Sequence, residues 1–202
     1  MSRRRPRMSG RRNAARSGRR ARDGLAAATL RNVAAEANLA IGSIRHYFDG
    51  HDELIIFAAQ ELGRRISQRV RAHAEQIFAN ADNRAERRRL SEALLEEWLP
   101  LDGDRHRETV LRHTFTVAAR TRAELSPHAE ALRDTMIAII HRVLTSARDQ
   151  GGLSPEIDIG LETARLHALL DGLSLQGLTE PRHVRRVLRH HLDALPQTRH
   201  RG

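Results

Sequence analysis

The sequence contains no cysteine and no lysine, and only six aromatic residues other than histidine: one Trp, one Tyr and four Phe. Without cysteine, disulfides and thiolate metal sites are excluded, and a reducing compartment is favoured. No stretch approaches the roughly 18 apolar residues of a membrane-spanning helix, and the N-terminus lacks the apolar segment of a signal peptide. These absences predict a soluble, cytoplasmic protein with no membrane partner.

The excess positive charge is concentrated at the N-terminus. The formal net charge is +10 over 202 residues, and all 35 basic residues are arginines. Residues 1–22 hold ten arginines and no acidic residue, so the rest of the chain is formally neutral. A basic segment favours a polyanion such as DNA, RNA or an anionic membrane. The segment is therefore an arm for such a partner, a poorly formed first helix, or a solvated extension ahead of a true start near Met8.

Apolar residues recur three and four positions apart, which predicts an all-α fold without strands or internal repeats. Two short helices are predicted at about 30–37 and 41–48. A long helix follows from Asp52 to about Phe78, and others are predicted around 90–98, ending before Pro100, and around 110–118. The next has Ser126 as its N-cap, Pro127 at its first position and Gly151-Gly152 as its stop, while Ser154-Pro155 and Pro181 open the last two.

The two short helices predict a helix-turn-helix. Thr29 caps the first helix, and Asn38 tolerates the left-handed conformation that ends it. Helices of about two turns are marginal in water, so each depends on packing against the other. The exposed face of the second helix carries Ser43, Arg45, His46 and Tyr47. Arginine can reach guanine O6 and N7, and hydroxyls suit phosphate oxygens. An ordinary helical hairpin is the alternative interpretation.

The stretch TLRNVAAEANLAIGSIRHYFDGHDEL, residues 29–54, resembles the DNA-binding segment of the tetracycline-repressor (TetR) family of bacterial regulators. The matching parts are the LRNVAAEA helix, the GSIRHYF recognition helix, the DEL that opens the connecting helix, and Gly24. The IRHYF variant is similar to that of the choline-responsive branch. The resemblance implies a homodimeric repressor that a small-molecule effector releases from a palindromic operator. It also implies a DNA-binding domain over 23–51 and a helical effector-binding and dimerisation domain over 52–202.

The sequence departs from the family pattern at four places. Ala40 stands where the family has a capping Ser or Thr, and Asn38 replaces a glycine. His51 takes the place of a lysine that contacts phosphate, so this contact becomes weaker and pH-dependent. The stretch SGRRNAARSGRRARDG, residues 9–24, offers only small apolar side chains and two internal glycines for the first helix. The predicted DNA contacts are Thr29, Ser43, Arg45, His46, Tyr47 and His51.

The larger domain has two sets of candidate residues. The predicted effector site consists of Trp98, His113, Phe115 and Met136, with a place in the core as the alternative for each. The predicted dimer interface is an apolar stripe on the last two helices, formed by Leu166, Leu169, Leu170, Leu173, Val184, Val187, Leu188 and Leu192. The alternative is that these leucines and valines fill the core of the protomer.

Catalytic and metal-binding patterns are absent from the sequence, which predicts neither an enzyme nor a cofactor. It contains no G-x-S-x-G, glycine-rich phosphate loop or H-E-x-x-H. Residues 102–108, DGDRHRE, lack the offsets of a calcium loop and are predicted to be a solvated turn. His106 and His113 are seven positions apart, a weak indication of a metal site. A helical enzyme or metal-binding protein without a recognisable motif is the alternative to a regulator.

Overall fold

The computed structural model describes residues 51–198, and all of its regular elements in this range are helical. The predictions for residues 1–50 lie outside the described residues. The α-helices are α1 (His51–Ala79), α2 (Arg84–Leu95), α3 (Gly103–Ala119), α4 (Ser126–Asp149), α5 (Ile159–Gln176) and α6 (Val184–Asp193). Short 3₁₀ turns at Glu96–Trp98, Ala123–Leu125 and Pro181–His183 extend or precede them. The prediction of an all-α fold is confirmed for this part of the chain.

Helix α1 is the longest element, and it begins directly after the predicted helix-turn-helix. It contains 29 residues, which corresponds to about 43 Å at 1.5 Å per residue. Its apolar stripe is buried as the period of the sequence predicts, through Ala58, Leu62, Ile66 and Val70. Because α1 packs on α2, α3 and α4, a shift of any of these helices acts on α1 directly.

A single apolar core lies between the six helices. Helix α1 packs most extensively on α2, α4 packs on α5, and α3 contacts α1, α4 and α5. The most deeply buried large side chains include Leu62, Phe115, Ile140, Leu166 and Leu188, from five different helices. Within residues 51–198, no helix has the length and apolar character needed to cross a membrane.

The helix termini show where the boundary predictions succeed and where they are wrong. Gly151 has a φ of 71° and ends α4 as predicted, because glycine takes this conformation without steric cost. Ser126 is the first helical residue and its hydroxyl bonds Glu130. It is not an N-cap, because the 3₁₀ turn before it already has helical geometry at Leu125. Likewise, Ser154-Pro155 does not open α5.

Side-chain caps instead come from residues just before three of the helices. Asn83 caps α2, Asp102 caps α3 and Asp158 caps α5, each accepting a hydrogen bond from a backbone N–H in the first turn. Such caps satisfy N–H groups that have no partner inside the helix. Pro181 begins a 3₁₀ turn that leads into α6 at Val184, as the sequence predicts.

Candidate functional site

A cavity of about 410 Å³ lies between α1, α3, α4 and α5. This volume is in the range of small-molecule sites. Three of the four predicted effector residues line it, namely Trp98, His113 and Met136. Phe115 does not, because it is on the face of α3 that packs into the core and is almost completely buried. The cavity therefore unites most of the predicted site, and Phe115 is corrected to a core residue.

A charged pair that the sequence analysis missed lies in the wall of this cavity. Arg112 Nη1 on α3 is 2.9 Å from Asp171 Oδ1 on α5, and the Arg112 side chain is only 12% exposed. Its Nη2 donates a longer hydrogen bond, 3.4 Å, to the carbonyl of Trp98. Burial lowers the pKa of the Arg112 guanidinium, and the charge of Asp171 opposes this effect. Arginine nevertheless remains protonated in proteins, so the cavity has a buried positive charge.

His113 is held in the same wall by a short chain of hydrogen bonds. Its Nε2 is 2.8 Å from Ser174 Oγ, and the Ser174 hydroxyl donates to the carbonyl of Asp171. Because the hydroxyl proton is used in that bond, Ser174 Oγ accepts from a protonated Nε2. Burial lowers the pKa of His113, and the neighbouring Arg112 lowers it further, whereas Asp171 raises it. His113 is therefore neutral at pH 7.

A second charged cluster connects α1 to α3. Arg69 on α1 donates to Glu97 at 2.6 Å and to Glu108 on α3 at 2.7 Å. The two carboxylates are 8% and 7% exposed, respectively. Glu97 is also 3.1 Å from His73 and 3.9 Å from Arg105. Burial opposes the charge of Arg69, but the hydrogen bonds to Glu108 and Glu97 outweigh it and raise the pKa of Arg69. Glu108 precedes Arg112 by one helical turn, so α3 connects this cluster to the cavity.

A larger groove of about 680 Å³ runs between the C-terminal half of α1, α2 and the C-terminal half of α4. Its lining includes Val70, Ile77 and Val143. None of the four predicted effector residues lines this groove. It also lies towards the end of α1 that is farther from the predicted helix-turn-helix.

The residues predicted for a dimer interface divide into three groups by burial. Six are buried inside the protomer, namely Leu166, Leu170, Leu173, Val184, Leu188 and Leu192. They are core residues, because a side chain covered by its own protomer offers no area to a partner. Leu169 is half-buried against the same core. Val187 is 38% exposed and remains available for a contact.

The other predicted sites are placed as follows. Thr29, Ser43, Arg45, His46 and Tyr47 lie outside the described residues, and His51 is the first residue of α1. The prediction of a solvated turn at residues 102–108 is wrong, because Asp102 caps α3 and residues 103–108 form the first turns of this helix. His106 is exposed, whereas His113 bonds Ser174. Within residues 51–198, no group of three or more histidine or acidic side chains has the arrangement of a metal site.

Comparisons with known proteins agree with this architecture. Residues 86–197 match a family model described as the C-terminal region of BetI-type transcriptional repressors. The HTH-type transcriptional regulator PksA of Bacillus subtilis (strain 168) is 27% identical over 177 residues, which cover 85% of this chain and 82% of PksA.

Two solved structures share the fold. A transcriptional regulator from Rhodococcus sp. Rha1 has a TM-score of 0.55 at 21% identity, over 82% of this chain and 95% of its own. A Saccharomonospora viridis regulator in complex with choline has a TM-score of 0.59 at 19% identity, over 82% of this chain and 96% of its own. At these identities the structural likeness establishes the fold alone, but the matched family model spans more than half of the sequence. The chain therefore belongs to the tetracycline-repressor (TetR) family of transcriptional regulators, with a BetI-type C-terminal region.

Proposed function

We propose that the protein is a homodimeric repressor that leaves its operator when a small molecule enters the 410 Å³ cavity. The observation that carries the proposal is the position of this cavity against α1. Ala59, Gln60 and Gly63 of α1 line it, and α1 follows directly on the predicted helix-turn-helix. A ligand that prefers one position of α1 therefore biases the placement of the DNA-reading segment.

The release mechanism is tested by filling the cavity. Leu132 lines it from α4, so Leu132→Trp is expected to occupy the ligand's space while leaving the DNA-binding segment intact. Ile137→Trp, on the same helix but outside this cavity, is the control. Operator affinity is measured by fluorescence anisotropy on DNA flanking the gene, with a ligand identified by mass spectrometry of the purified protein. Equal release of Leu132→Trp and wild type would place the effector site elsewhere.

We further propose that Arg45 reads a base, while Ser43, Tyr47 and His51 contact phosphates, and Thr29 and His46 support the same interface. A dimer presents two such helices to successive major grooves, about 34–36 Å apart. Arg45→Ala is expected to reduce discrimination at one base pair by about 1–3 kcal/mol, whereas Tyr47→Phe weakens all sequences alike. An unchanged ratio of operator to random-DNA affinity in Arg45→Ala would contradict this role. Residues 1–22 would add sequence-independent phosphate contacts.

The proposed dimer interface is the exposed side of α5, not its buried leucine stripe. Leu161 and Leu175 are 59% and 58% exposed. Ala168 and Gly172 are exposed between them at helical spacing, and no atom lies within 4 Å of a Cβ added to Gly172. These four residues form an apolar strip along α5 with room for a close helix contact, and Val187 of α6 is also exposed.

Light scattering of Leu175→Glu tests this face, because a buried unpaired charge opposes association. Val117→Glu changes a valine on α3 that is 69% exposed and serves as the control. We expect Leu175→Glu to be monomeric at micromolar concentration and Val117→Glu to remain a dimer. A monomeric wild type, or a dimeric Leu175→Glu, would contradict the proposed interface.

A further inference from the structure

We infer that the 410 Å³ cavity selects a small carboxylate with an apolar body and discriminates against choline-like cations. This inference rests on the proposed function only in taking this cavity as the effector site. It is drawn from the buried charges, the hydrogen-bonding capacity and the aromatic content of the cavity wall.

The buried guanidinium of Arg112 has unused hydrogen-bond donors. A guanidinium carries five N–H donors in a planar fork that matches a carboxylate. Within the part of the chain that the structure describes, Arg112 makes one bond to Asp171 and a long one to the Trp98 carbonyl. An anionic ligand would give acceptors to the remaining donors of a side chain that is only 12% exposed, where charge-assisted bonds are stronger than in water.

The two acidic residues that line the cavity are partly or largely exposed to solvent, and one of them is paired with Arg112. Asp171 Oδ1 bonds Arg112, whereas its Oδ2 is 3.7 Å from His167 Nε2, too far for a hydrogen bond, and the Asp171 side chain is 45% exposed. Glu130, the other acidic residue that lines the cavity, is exposed and accepts a bond from the Ser126 hydroxyl. Arg112, Arg120 and Arg133 also line the cavity, so its arginines outnumber its acidic residues by three to two. A cationic ligand would therefore meet a lining with a net positive formal charge.

The aromatic content of the cavity also disfavours choline. Quaternary ammonium groups are recognised by cages of aromatic faces. Among the described residues that line the cavity, Trp98 is the sole Phe, Tyr or Trp. The rest of the apolar wall comes from side chains such as Ile66, Leu132 and Met136. These aliphatic groups suit a hydrocarbon body, whereas a single indole cannot enclose a trimethylammonium group.

Isothermal titration with ligands of one shape and different charge tests the inference. The probes are 4-phenylbutyrate, its uncharged amide and 4-phenylbutylamine, with choline as a fourth ligand. We expect 4-phenylbutyrate to bind about tenfold or more tighter than the amide, because bonds to an ionised acceptor are about twice as strong as neutral ones. The amine and choline should show no binding at millimolar concentration. Binding of either cation as tight as that of the carboxylate, or binding of no probe, would overturn the inference.

Matched variants identify the residue responsible. Arg112→Met with Asp171→Leu replaces the charged pair by apolar side chains, a change that many folds tolerate. It should lose the preference for 4-phenylbutyrate and still bind the amide, which would show that the cavity has formed. Arg107→Met is the control, because Arg107 pairs with Asp104 at the start of α3 and does not line the cavity. A retained carboxylate preference in the double variant would overturn the role of Arg112.

Operator binding in the presence of the same probes separates this inference from the proposed function. If 4-phenylbutyrate binds selectively but does not change operator affinity, the cavity is anion-selective and its effector role fails. If the carboxylate and the amide bind equally and both release DNA, the effector role holds and the selectivity for anions is refuted.

Discussion

Arg69→Met would test whether the charged cluster between α1 and α3 stabilises the fold. The substitution removes the hydrogen bonds of 2.6 and 2.7 Å to Glu97 and Glu108. Glu97 would keep His73 and Arg105 as neighbours. Glu108 would lose Arg69, the cation that it contacts within residues 51–198. The loss therefore falls mainly on Glu108, a carboxylate that is 7% exposed.

The expected magnitude follows from this burial. Removing one partner of a buried ion pair costs about 3–5 kcal/mol, because the other charge stays desolvated. The Arg69 side chain is 34% exposed, so water will partly replace it and the lower end, about 3 kcal/mol, applies. For a chain of this size, about 2–4 °C of melting temperature corresponds to 1 kcal/mol. We expect a decrease of about 6–12 °C by circular dichroism at a fixed protomer concentration.

Arg64→Met is the matched control. Arg64 is on the same helix and contacts Glu61 at 2.7 Å, but its side chain is 55% exposed. An exposed pair contributes little to stability, so this variant should lose a few degrees at most. Adding Glu108→Gln to Arg69→Met should recover part of the lost stability, because the amide does not leave a buried charge. Equal melting temperatures of Arg69→Met and Arg64→Met would refute the argument from burial.

Two further predictions concern the cavity wall and the packing around Pro100. Burial keeps the pKa of His113 below its ordinary value of 6.5. As the pH falls through this value, the unfolded chain takes up a proton at His113 before the folded chain does, so the free energy of unfolding of the wild type decreases. His113→Gln lacks this proton uptake and should therefore lose less thermal stability than wild type between about pH 7.5 and 5.5. A Cβ at Gly177 would be 2.7 Å from Pro100 Cγ and 3.0 Å from Val184 Cγ2, and Gly177→Ala should cost about 1–3 kcal/mol in urea unfolding. The control is Gly103→Ala, where the nearest contact is an ordinary 3.5 Å, and its free energy of unfolding should stay within about 0.5 kcal/mol of wild type. Equal losses in the two glycine variants would contradict the packing argument. Parallel pH profiles for His113→Gln and wild type would contradict the argument from the pKa of His113.

The sequence predicts the helices of residues 51–198 well because each depends on a local period. The stripe from Ala58 to Val70 identifies α1 without any knowledge of its partners. The first residue of each helix is harder to predict from the sequence. Ser126 and Ser154-Pro155 have the composition of N-termini, but the 3₁₀ turn before Ser126 and the cap at Asp158 move both boundaries. These differences arise from how a helix connects to the preceding segment, and composition alone does not specify this.

The candidate site is only partly visible in the sequence. Trp98 and Met136 could be selected because tryptophan and methionine are rare in this chain, whereas His113 is one of twelve histidines. Arg112 and Asp171 are 59 positions apart, and their pairing depends on how α3 packs against α5. One local pattern pointed to Asp171 as a candidate site residue, because this acidic side chain lies beside the apolar stripe of Leu169, Leu170 and Leu173. For α5 the sequence alone does not show which face is buried, because apolar residues such as Leu161 and Leu175 also lie on its exposed side.

Helix α3 also determines how the cavity and the DNA-reading segment should be coupled. Arg112 and His113 lie in the cavity wall, and Glu108, one turn earlier on α3, holds Arg69 of α1. If this bond transmits the movement of α3, Arg69→Met should bind ligand with nearly unchanged affinity but release the operator poorly. Allosteric coupling is typically about 1–3 kcal/mol, so the ratio of operator affinities without and with ligand should fall from about 5–150-fold towards one. Both ratios are measured well below the melting temperature of the variant, with Arg64→Met as the control. A full ratio in Arg69→Met would show that coupling takes another route, through the direct contact of the ligand with Ala59, Gln60 and Gly63 of α1.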